Sequence, residues 1–117
     1  MNTMTTIMAV VLAAIAVVSA MGKLKQMPQV MESMTHVGVK QNQIPLLAYL
    51  EILGALGLLI GIAYPLLAFI SAGALMLYFV GAVIAHLRVK DKLKDFAPAL
   101  FLAVLFGYLA YLVPTGF

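Results

Sequence analysis

The chain alternates between long apolar runs and short polar segments. The apolar runs cover residues 4–20, 45–62, 65–85 and 97–113. Each comes near the ~20 residues with which a helix crosses ~30 Å of hydrocarbon. The middle two are almost continuous, and as one helix they would measure about 60 Å, twice the membrane. The chain must therefore turn back at "GIAYP", where Gly61 loosens one helix end and Pro65 starts the next. The pattern predicts an all-α fold, an integral membrane four-helix bundle of two helical hairpins in a single transmembrane domain over residues 1–117.

The polar segments orient that bundle. Lys23, Lys25 and Lys40 lie between spans one and two, and Arg88, Lys90, Lys92 and Lys94 between spans three and four. The positive-inside rule places both basic loops in the cytoplasm and both termini outside. The first run reads as a retained span and not as a cleaved signal, because "MNTM" has no basic residue and the lysines follow the apolar stretch. Within the first basic loop, Met27, Val30, Met31, Met34 and Val37 form one stripe of a short amphipathic helix over about residues 28–38. Its methionine face is expected in lipid or on the bundle. The sharper reading, a soft-metal site of methionines with His36, has no cysteine to support it. No metal site is expected.

Composition agrees with the bilayer. The chain is 65% hydrophobic and only 9% charged, against the ~25% charged residues of soluble domains. The absence of cysteine removes disulfides, thiol redox relays and thiolate metal sites. The net charge of +3 sits in two topological segments, so nucleic acid is not the partner. A weak repeat relates the hairpins: Pro45 with Gly54 is matched by Pro98 with Gly107, and each pair is read as opening the second helix of its hairpin. Gly54, Gly57, Gly61, Gly73 and Gly81 give spans two and three small faces for close helix packing.

One carboxylate lies in this apolar material. Glu51, in "LEILGALGLLIG", follows Pro45 by six residues, ~9 Å along the helix. A bare carboxylate there costs ~2.5–3.5 kcal/mol on insertion scales, so it is expected to be protonated, paired or facing a cavity. Lys23, at the foot of span one, and His86 and Arg88, at the foot of span three, are expected in the same layer. Tyr49 and Tyr78 also lie deep, and their hydroxyls need partners. A proton-exchanging Glu51–His86 pair, with Lys23 and Arg88 binding a ligand, is one reading. A Glu–Lys or Glu–Arg staple that fixes helix register is the other.

"MGKLKQMP", "LEILGALGLLIG" and "GAVIAHLRVKD" together resemble the DoxX-like family of small four-span bacterial membrane proteins. The resemblance runs from Val10 to about Leu105 and falls on Lys23, Glu51, Gly54, His86 and Arg88. It implies the bacterial inner membrane and an accessory subunit of a redox system, with a quinone as the cofactor class and a redox-protein partner. Two alternatives stay open. One is a structural or assembly protein that binds a partner's membrane segment or further copies of the chain. The other is a small membrane isomerase that uses Glu51 and His86 as acid and base on a lipophilic substrate.

Overall fold

The computed structural model describes residues 2–114, and among these there is no strand. Helix α1 spans Thr3–Leu24, α2 Pro28–His36, α3 Ile44–Gly61, α4 Pro65–Arg88 and α5 Leu93–Leu112, with a 3₁₀ turn at Gln41–Gln43 leading into α3. Helices α1, α3, α4 and α5 are each long and apolar enough to cross a membrane. The molecule measures 41 × 26 × 20 Å, and its long axis matches a bilayer of ~40–45 Å including headgroups.

Local chemistry sets the helix ends. The Asn2 side chain accepts a hydrogen bond from the Thr5 N–H at 2.8 Å and caps α1. Pro45 and Pro65 sit in the first turns of α3 and α4, where a missing N–H costs nothing. Helix α5 departs from expectation. It begins at Leu93, with the Asp95 carboxylate accepting the Lys92 N–H at 3.1 Å. Pro98 therefore lies inside α5 and does not open it; it forgoes the hydrogen bond to the Lys94 carbonyl. The expected proline correspondence between the hairpins fails at this position.

A different correspondence takes its place. Helix α1 ends with Gln26 in the left-handed region (φ 54°), and α4 ends with Lys90 there (φ 59°). After α1, Met27 N–H bonds to Gly22 C=O at 3.1 Å and Gln26 N–H to Lys23 C=O at 3.2 Å. After α4, Asp91 N–H bonds to His86 C=O at 3.1 Å and Lys90 N–H to Leu87 C=O at 3.1 Å. Both ends are Schellman motifs. The hairpins thus repeat at their turns, and α2 is the extra element of the first hairpin.

Helix α1 packs along α3, α4 along α5, and α3 against α4, whereas α1 and α5 touch only sparsely. Buried Ala9, Ala13, Ala16 and Ala20 line the inner face of α1, and Ala48 and Ala55 that of α3. Small residues allow the close backbone approach that stabilises helix pairs in lipid. The α3–α4 seam uses glycine: a Cβ on Gly61 would stand 2.5 Å from the Ala68 backbone, one on Gly54 2.7 Å from Leu75, and one on Gly57 would strike Ser71. Gly73 and Gly81 do not serve this seam. A Cβ at either would meet nothing within 4 Å. Phe79 of α4 stacks on Phe106 of α5, with ring centroids 5.6 Å apart, and closes the second hairpin.

Candidate functional site

Helix α1 continues four residues past Ala20, where the apolar run ends, and carries Lys23 inside the bundle. Lys23 is 5% exposed and Glu51 fully buried. The Lys23 ammonium donates to Glu51 Oε1 at 2.5 Å and to Ser19 Oγ, one turn back on α1, at 2.9 Å. The Tyr78 hydroxyl, from α4, donates to the same Glu51 oxygen at 3.1 Å. The ammonium also lies 5.9 Å from the Tyr78 ring centroid, within cation–π range. Three helices thus meet at one carboxylate oxygen. The other, Oε2, is buried and has no hydrogen-bond partner.

Beside this cluster lies a cavity of about 710 Å³. Its walls come from α1 (Val18, Gly22), α4 (Phe79, Gly81) and α5 (Ala99, Leu102), and α1 and α5 touch only sparsely. Helix α2 and its two flanking residues roof it with Met27, Val30, Met34 and Val37, four of the five residues of the predicted stripe. Lys23, Ser19 and Tyr78 supply polar groups to an otherwise mostly apolar wall. This volume and lining match sites for small lipophilic molecules, which combine apolar walls with a few placed polar groups.

The remaining candidate residues are placed differently. His86 lies eight residues beyond Tyr78 on α4, ~12 Å along the axis, and shares no hydrogen bond with Glu51. It lines the far end of the apolar cavity and also a second, polar cleft of about 830 Å³. In that cleft Asp91 bridges two histidines. His86 Nδ1 lies 2.6 Å from Asp91 Oδ2, and His36 Nε2, from α2, lies 2.7 Å from Asp91 Oδ1. The Schellman turn after α4 holds the Asp91 backbone on the His86 carbonyl and so presents the carboxylate to the ring. Hydrogen bonds from His86 and His36 hold the Asp91 carboxyl below the usual carboxylate range. A carboxylate with a lowered pKa stabilises the fold above its ordinary pKa, and that contribution is lost as pH falls through the lowered value. Protonation of the Asp91 carboxyl in acid therefore removes its part in the bridge.

Arg88 is exposed, and no side-chain hydrogen bond is found for it among the described residues. Tyr49, the other deep tyrosine, is 60% exposed and faces outward. Sequence reasoning did not find the Asp91 bridge. Its one signal is the spacing of His86 and Asp91, which straddle a helix end five residues apart. Among the described residues, no group of three or more histidine, aspartate or glutamate side chains is arranged to hold a metal ion.

No curated protein and no solved structure matches the chain significantly. A family model does, across residues 7–108, a stretch that takes in the Lys23–Glu51–Tyr78 cluster and the Asp91 bridge. The chain, a membrane protein of four apolar spans, belongs to the DoxX-like family.

Proposed function

We propose that the protein is an accessory subunit of a quinone-linked redox system in the bacterial inner membrane, and that it holds a quinone head in the cavity beside Lys23 and Tyr78. The observation that carries this reading is a largely apolar cavity of about 710 Å³ whose wall includes a buried ammonium and a phenol. A quinone needs apolar walls for its ring and tail and one or two donors for its carbonyl oxygens. Lys23, whose ammonium keeps one proton beyond those given to Ser19 and Glu51, is that donor, and Tyr78, whose one proton goes to Glu51, borders the head with its ring. Glu51 holds both in place, and its unpartnered Oε2 is the position open to a proton. His86 lines both cavities and is assigned proton exchange with the aqueous side. The sparse α1–α5 contact gives a lipophile a lateral route from the bilayer.

In this reading the basic loops face the cytoplasm and both termini face outward, following the lysine and arginine distribution. Helix α5, the least buried span, has the most apolar surface left for a redox-protein partner or a second copy of the chain. A second reading has its own observation: the Lys23–Glu51 pair is buried and ties α1 to α3, as a purely structural staple would. Solvent extraction of protein purified in mild detergent separates the two. The quinone reading predicts near-stoichiometric quinone that Gly81→Phe, in the cavity wall, reduces; the staple reading predicts none.

A further inference from the structure

Helix α2 is held to the bundle more weakly than any spanning helix. It has nine residues, none of them buried. Its backbone packs appreciably only against α1, where Val30 and Met27 lie over Gly22. Left-handed residues flank it, Gln26 (φ 54°) before and Gly38 (φ 90°) after. Among the described residues, its only side-chain hydrogen bond to the rest of the molecule runs from His36 to Asp91. Yet this helix supplies the roof of the cavity that Lys23 and Tyr78 line.

We infer that α2 is a hinged lid over that cavity, latched by the His36–Asp91–His86 bridge, and that a ligand exchanges when the latch opens. The body half of the latch is prebuilt. The turn after α4 and the His86 ring fix the Asp91 carboxylate, leaving its second oxygen for the incoming His36. The lid half swings on the Lys25–Met27 turn at one end, and Gly38 gives freedom at the other. Other charged groups in the cleft are Glu32 on α2 and Asp95 on α5, both exposed. Neither is hydrogen-bonded to His36 or His86, whose ring nitrogens at the cleft meet Asp91.

The inference rests on the cavity being a ligand site, and the test keeps the two apart. Hydrogen exchange would be followed by mass spectrometry in lipid nanodiscs for the wild type, His36→Gln and Asp91→Asn. His36 is exposed, so His36→Gln leaves the bundle folded. Exchange within residues 28–37 should rise roughly three- to tenfold, the scale of one ordinary hydrogen bond lost at an exposed site, with the spanning helices unchanged. The dissociation rate of decyl-benzoquinone should rise in proportion. Unchanged exchange in α2 of His36→Gln overturns the latch, as does faster exchange with unchanged quinone release. A wild type that binds no quinone removes the functional reading, and the α2 exchange result still decides the latch.

Discussion

At the scale of single residues, the buried pair decides most. Lys23 and Glu51 stabilise each other only as a pair, because desolvation of either alone outweighs its remaining contacts. Lys23→Met leaves a carboxylate enclosed with only the Tyr78 hydroxyl, and we expect a loss of ~3–5 kcal/mol. Lys23→Met combined with Glu51→Leu should regain most of that, since removing both charges is close to neutral. Unfolding by SDS titration from mixed micelles measures the cycle; a double variant as unstable as the summed singles would refute the pairing. This pair was legible in the sequence, because a carboxylate in an apolar helix demands a partner and topology brings few candidates near it. Tyr78 was half legible: its depth required a hydrogen bond, but not which one. Arg88 was an equal candidate in the sequence, but in the last turn of α4 it is exposed and takes no part in the cluster.

Among elements, the α3–α4 seam gives a sharp contrast. Gly61→Ala drives a methyl into the Ala68 backbone and must separate the helices, costing ~1–3 kcal/mol. Gly73→Ala enters open space and should be neutral or gain up to ~1 kcal/mol from helix propensity. Thermal unfolding in one detergent compares them directly, and equal effects would show that the seam is misplaced. The glycine-rich character of both helices was plain in the sequence. Which face of α4 meets α3 was not, because Ser71 with Leu75 and Gly73 with Gly81 are both helically spaced sets. The fit of Ala68, Ser71 and Leu75 into the α3 glycine row settles it, and Gly81 becomes cavity wall instead. The amphipathic stripe of α2 was legible too, but not that it closes a cavity.

For the whole molecule, the bilayer does much of the specifying. Four runs near membrane length, with basic segments between alternate pairs, leave few arrangements besides two hairpins. The cavity was hidden because it arises from a relation between distant parts. Helices α1 and α5 touch only sparsely, α2 lines the space beside them, and Lys23 and Tyr78 border it. No local pattern records that arrangement. The central claim, that this space holds a quinone head, is tested most directly by titrating decyl-benzoquinone into nanodisc-embedded wild type and Gly81→Phe. Gly81 lines the cavity and has open space at its Cβ, so the phenyl ring fills the site without disturbing the bundle. The account predicts saturable, one-to-one binding by the wild type and at least tenfold weaker binding by Gly81→Phe at equal thermal stability. Absence of saturable binding by the wild type, or equal affinity in the two, would contradict it.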